Sequence, residues 1–124
     1  MDPKKLGTTS RVRSFIYAVE GLAAVLKSQP NTWYMALASV AVVGVGLWLG
    51  VSVPEWCFLA TAIVVVWVAE ILNTAVEFLT DLVSPEHHPL AKKAKDAAAA
   101  ASLVAVLFSL VIACLIFLPR LLSF

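Results

Sequence analysis

The chain has 124 residues, of which 61% are hydrophobic and only 14% charged, and its mean hydropathy is +0.93. It is too short for two domains and too apolar for an ordinary soluble one, which leaves a single-domain integral membrane protein. A net charge of +1 implies no nucleic-acid surface, but the charges are segregated. Lys4, Lys5, Arg11, Arg13 and Lys27 precede the first apolar run, and Lys92, Lys93 and Lys95 separate the second from the third.

Residues 1–9 lack periodicity and read as a loose tail. From Ser10, a suitable N-cap, Val12, Phe15, Ile16, Val19, Leu22, Ala23 and Leu26 recur at helical spacing. This predicts an amphipathic surface helix over about 10–29, ended by Pro30. Glu20 and Lys27 interrupt the stretch and argue against a signal peptide.

Three uncharged runs predict transmembrane helices at about 32–50, 55–83 and 91–118. The first opens on an interfacial aromatic pair, Trp33 and Tyr34, and contains Gly46 and Gly50 at a spacing expected to serve helix packing. Pro54 breaks the chain before the second. Cys57 and Cys114 have no metal spacing and are expected to be small buried residues. Ala97 to Ala101 would let neighbouring backbones come close, and Arg120 would anchor the outer end of the last helix. With both basic clusters on one side, the N-terminus and the 84–96 region are expected in the cytoplasm, across the inner (cytoplasmic) membrane.

The second transmembrane helix carries the chemistry. Glu70, Asn73, Glu77 and Asp81 fall within a sector of roughly 80° on one helix face. Carboxylates at membrane depth are costly and normally persist for chemistry or transport. Measured from Glu55 at the outer interface, Glu70 lies about 22 Å in, near the inner headgroup boundary, while Glu77 and Asp81 reach the cytosol. A partly desolvated Glu70 suits a general base, Glu77 suits a hard cation such as Mg²⁺, and Asn73 between them suits a hydroxyl. Asp81 has a solvated helix-end role as its equal alternative.

The Pro-bounded loop 84–90 contains His87 and His88, which lack the further ligands of a zinc site. Lys95 and Asp96 open the third transmembrane helix, where a lysine and the positive helix end both attract phosphate. Together these features point to phosphoryl transfer at the membrane surface.

Glu70-Ile71-Leu72-Asn73-Thr74-Ala75-Val76-Glu77, Asp81, Ser84-Pro85-Glu86, His88-Pro89-Leu90-Ala91-Lys92 and Ala94-Lys95-Asp96 resemble the small prokaryotic diacylglycerol kinases and undecaprenol kinases. The likeness extends to Ser14-Phe15, Tyr17-Ala18 and Gly21. It implies a homotrimeric lipid kinase with sites shared between subunits, using ATP and Mg²⁺. Under this resemblance Glu70 is the general base and Glu77 a metal ligand. Tyr17, Glu86, His87, His88, Lys95 and Asp96 would contact the nucleotide, and Asn73, Trp48, Trp56 and segment 31–35 would lie along the lipid.

The chain departs from the family pattern at three places. Gln29 stands where a second metal-binding carboxylate is expected, with Glu20 or Asp81 as substitutes. Trp33 and Met35 replace polar or basic residues, and Ala99 replaces a serine of some diacylglycerol-specific members. The expected reaction is transfer of the γ-phosphate of ATP to diacylglycerol, giving phosphatidic acid, with undecaprenol as the alternative acceptor. Two readings from other classes are a small ion- or proton-translocating subunit and a non-enzymatic anchor. A conduction path would need polar residues in the outer half of the second transmembrane helix, where only Cys57 and Thr61 occur between Trp56 and Trp67.

Overall fold

The computed structural model describes residues 8–123. The chain is all-α, with α1 (Thr8–Ser28), α2 (Asn31–Leu49), α3 (Val53–Val83) and α4 (Pro89–Leu122). Helices α2, α3 and α4 are long and apolar enough to cross a membrane. At 1.5 Å per residue α3 extends about 46 Å and α4 about 51 Å, well beyond a hydrocarbon core of roughly 30 Å. Both therefore project from the membrane at one end, and their antiparallel packing is the main helix contact of the fold.

Each corner has a local cause. Between α1 and α2 the fully buried Thr32 donates its hydroxyl to the Gln29 carbonyl at 2.6 Å, and its backbone N–H bonds the same oxygen. Between α2 and α3 Gly50 adopts φ 64°, a left-handed conformation that glycine takes without penalty, and ends α2. Ser52 then caps α3: its Oγ accepts from the Glu55 N–H, while Glu55 Oε1 accepts from the Ser52 N–H at 2.9 Å. His88 opens α4, its Nδ1 accepting from the Leu90 N–H at 3.1 Å.

The half of the bundle next to the α2/α3 turn is packed around Val51, Leu59 and Ile116, with Val42, Leu49, Trp56, Ile112 and Phe117 against them. Arg120 closes this end, donating through Nε to Glu55 Oε2 at 3.0 Å, through a second nitrogen to Glu55 Oε1, and to the Leu49 carbonyl at 3.4 Å. One side chain thus ties the end of α4 to α3 and α2. In mid-membrane the Trp67 indole N–H donates to Ser39 Oγ at 3.0 Å, and Ser109 Oγ donates to the Ala62 carbonyl at 3.0 Å.

Several expectations shift. The first helix starts at Thr8, so Ser10 lies inside it, where its carbonyl accepts from Ser14 Oγ. Of the expected tail, residues 1–7, including Lys4 and Lys5, lie outside the described residues. Helix α4 continues through Pro119 to Leu122 because Arg120 is held against its neighbours. Gly46 and Gly50 do not act as one packing face: Gly46 lies under the Trp56 ring, and Gly50 is the cap. Cys57 and Cys114 are exposed rather than buried, since an apolar run by itself does not tell a core-facing position from a lipid-facing one. Most of Ala97 to Ala101 is exposed in the single chain too.

Candidate active site at the Asp81 and Lys95 end of the bundle

The stripe on α3 meets both neighbouring elements at the projecting end. Gln29 Nε2 donates to Glu77 Oε2 at 2.7 Å, across 48 residues of sequence. Its position follows from the Thr32 bonds, which pin the Gln29 backbone at the α1/α2 corner. On the other side Lys95 Nζ donates to Asp81 Oδ1 at 2.5 Å and is also attracted by the Glu77 carboxylate. Gln29, Glu77, Lys95 and Asp81 therefore form one polar line from the α1/α2 corner across α3 to α4.

The same α3 face continues into the membrane. Glu70 is partly buried, and its backbone carbonyl accepts from the fully buried Thr74 at 3.0 Å. The Asn73 Oδ1 atom is buried and has no hydrogen-bond partner in the protein. Polar groups rarely go unpaired in a low-dielectric interior, so an unpaired carboxamide oxygen one turn from Glu70 points to a ligand. Asp81, for which solvation was the competing role, is ion-paired to Lys95, although both side chains are substantially exposed and the pair adds little stability.

The other expected nucleotide contacts are less gathered. Asp96 does not pair with its neighbour Lys95 but with Lys92, at 2.6 Å on the same helix. His88 is committed by Nδ1 to capping α4, whereas His87 is exposed. The Glu86 carbonyl accepts from Ser84 Oγ at 2.9 Å, which shapes the loop beside Asp81. Tyr17 and Glu20 lie exposed on α1. Among the expected lipid contacts, Trp48 is exposed near the end of α2, Ala99 is exposed on α4, and Trp56 covers Gly46. Trp56 is about 21 Å from Glu70 along α3, so it belongs to the outer end of any lipid path.

Among the described residues, no group of three or more His, Cys, Asp and Glu side chains is arranged to hold a metal ion. The Glu77 carboxylate faces the Gln29 amide nitrogen, which donates to it and cannot ligate a cation, so Glu77 is the oxygen ligand at this contact. One carboxylate suits Mg²⁺, which takes one or two protein ligands and completes its shell with phosphates and water. Gln29 thus stays beside the metal-ligand candidate even though it is neutral.

Sequence reasoning missed Ser39, Trp67 and Ser102. Ser102 Oγ, like Asn73 Oδ1, is buried without a partner. The available signal was a lone hydroxyl residue at the end of an alanine run on α4. For ion translocation the outer half of α3 offers little: Thr61 spends its hydroxyl on the Cys57 carbonyl.

Three membrane-crossing helices with a charged, carboxylate-bearing site at the projecting end define a small integral membrane protein with polar chemistry at the lipid–water boundary. The model of prokaryotic diacylglycerol kinases matches residues 16–117, and the chain belongs to that family. It is 40% identical to the undecaprenol kinase of Bacillus subtilis (strain 168) over 109 residues, 88% of this chain and 89% of the relative. It is 28% identical to the diacylglycerol kinase of Escherichia coli (strain K12) over 110 residues, 89% of this chain and 90% of the relative. A diacylglycerol kinase of Synechocystis is 36% identical over 111 residues, 89% of this chain and 63% of that protein. The chain is therefore a membrane kinase of the diacylglycerol/undecaprenol type, with ATP as co-substrate and a lipid as acceptor.

Proposed function

We propose that the chain phosphorylates undecaprenol, as a Mg²⁺-ATP-dependent kinase of the cytoplasmic membrane with its active site on the cytoplasmic side. The observation that carries the kinase chemistry is the meeting of Gln29, Glu77, Asp81 and Lys95 directly beyond Glu70 and Asn73. The choice of lipid rests on the 40% identity to an undecaprenol kinase, against 28% for the Escherichia coli diacylglycerol kinase. Diacylglycerol, preferred on the sequence, becomes the second reading, favoured by the 36% identity to the Synechocystis relative.

In this reading the lipid hydroxyl lies against Glu70, whose carboxylate takes its proton as the oxygen attacks the γ-phosphorus. The new O–P bond forms as the bond from the γ-phosphorus to the bridging oxygen breaks, and ADP leaves. Asn73 orients the hydroxyl, and Lys95 attracts the phosphates from the positive end of α4. Glu77, with the Gln29 amide nitrogen donating to one of its oxygens, would hold Mg²⁺ through the other, and the ion would supply charge neutralisation on the phosphates. Tyr17, Glu86, His87, His88 and Asp96 would complete the nucleotide site, with part of it supplied by another subunit of a homotrimer. A partner would also cover Phe15, Tyr34 and Leu103, which are large, apolar and exposed in the single chain.

Purified protein in mixed micelles, given γ-labelled ATP and Mg²⁺, is expected to label undecaprenol with a kcat/KM roughly tenfold or more above that for diacylglycerol. A higher kcat/KM on diacylglycerol would establish the second reading instead.

A further inference from the structure

The two buried polar atoms without a partner, Asn73 Oδ1 on α3 and Ser102 Oγ on α4, are related by the geometry of the helix pair. Asn73 is eighteen residues along α3 from Glu55, and Ser102 is eighteen residues back along α4 from Arg120. Eighteen residues are five turns of an α-helix, about 27 Å, so each residue points in nearly the same direction as the one it is counted from. Glu55 and Arg120 are hydrogen-bonded to each other. Asn73 and Ser102 therefore sit within about one turn of each other on facing sides of the pair.

Counting from the inner end gives the same register. Asp81 and Lys95, also bonded, are eight and seven residues away from Asn73 and Ser102. Ser102 is midway between Lys95 and Ser109 at a spacing of seven, and both of those reach α3, Ser109 through the Ala62 carbonyl. The Ser109 link sets the level to within about one turn of the other two.

Ser102 is unusual in how it leaves its hydroxyl. Ser39, Thr61, Thr74 and Thr80 each donate to the carbonyl four residues earlier in their own helix. Ser102 makes no such bond, and a buried hydroxyl left unpaired is destabilising. Asn73 Oδ1 can only accept, whereas Ser102 Oγ can both donate and accept. A group bridging them must donate to one and pair with the other, which is what an alcohol does. Glu70 is one turn from Asn73 on the same face of α3, about 4.5 Å along the axis.

Resting on the kinase reading above, we propose that Ser102 is an acceptor-binding residue: with Asn73 it brackets the hydroxyl end of the lipid alcohol between α3 and α4. Ser102 Oγ–H donates to the substrate oxygen, whose own proton points to Asn73 Oδ1 in the bound state and turns to Glu70 as the oxygen's remaining lone pair attacks phosphorus.

The test is steady-state kinetics of the full-length protein in mixed micelles, with the lipid alcohol and ATP varied separately. Ser102→Ala is expected to raise the KM for the lipid alcohol roughly three- to tenfold while leaving the KM for ATP unchanged. Ser102→Thr, which restores the hydroxyl, is expected to recover most of the loss. Ser102→Cys keeps the volume but donates weakly, and it carries the same expectation as alanine should the alanine variant not assemble. An unchanged lipid KM in an active variant lacking the hydroxyl, an equal rise in the KM for ATP, or a threonine variant as impaired as alanine overturns the inference alone. A wild-type protein that phosphorylates neither lipid alcohol overturns the functional reading and this inference with it.

Discussion

Gln29 and Glu77 are joined by a 2.7 Å hydrogen bond in which the neutral carboxamide donates to the carboxylate. The bond ties the α1/α2 corner to the stripe on α3. It occupies one oxygen of Glu77, and in the proposed function the other would meet the cation.

A second carboxylate at this corner would change that balance. Gln29→Glu places two carboxylates where the amide bond now stands, and without a cation their repulsion is expected to lower thermal stability. With a divalent cation the same pair forms a stronger site. Isothermal titration with Mn²⁺ is expected to show tighter binding to Gln29→Glu than to the wild type, and thermal melts to show a larger gain on adding the metal. Equal affinities would mean that this position does not face the cation.

Glu70→Gln removes the proposed base while keeping shape and hydrogen-bonding capacity. Phosphoryl transfer is expected to fall by roughly 10²-fold or more, with the size-exclusion profile unchanged. Full activity in this variant would rule out Glu70 as the base.

Gly46 lies beneath the Trp56 ring, and a Cβ built there would be 2.6 Å from Trp56 Cη2. Gly46→Ala is expected to destabilise the outer half by about 1–3 kcal/mol through overpacking. Trp56→Leu in the same background should recover part of this loss, as read by unfolding in detergent.

The Trp67–Ser39 bond links α2 to α3 one turn from Glu70. Ser39→Ala is expected to cost about 0.6 kcal/mol, the average for an interhelical side-chain bond in a membrane protein. The Trp67 fluorescence should shift to the blue as its indole loses the polar partner. A spectrum identical to that of the wild type would show that the bond does not persist in the membrane.

Arg120 offers a control at the opposite end. Arg120→Ala removes three bonds that converge on Glu55 and Leu49. It is expected to lower the melting temperature more than Lys92→Ala does, because the Lys92–Asp96 pair is more exposed and lies within one helix.

The sequence by itself determined the three membrane spans, their turns and the face shared by Glu70, Asn73, Glu77 and Asp81. These depend on local hydropathy, on breakers such as Pro54 and on the helical period, all of which can be read along a single chain. It also marked Gln29 as the position to watch, through resemblance rather than geometry. Tertiary structure alone decided that Gln29 reaches Glu77, that Lys95 chooses Asp81 over Asp96, that Arg120 finds Glu55, and that Asn73 Oδ1 and Ser102 Oγ are buried without a partner. It also turned Cys57 and Cys114 outward and divided Gly46 from Gly50 into a packing site and a cap. The physical reason is common to all of these. Periodicity says which residues share a face, but the register and rotation of one helix against another arise from contacts across many residues, and no local pattern encodes them.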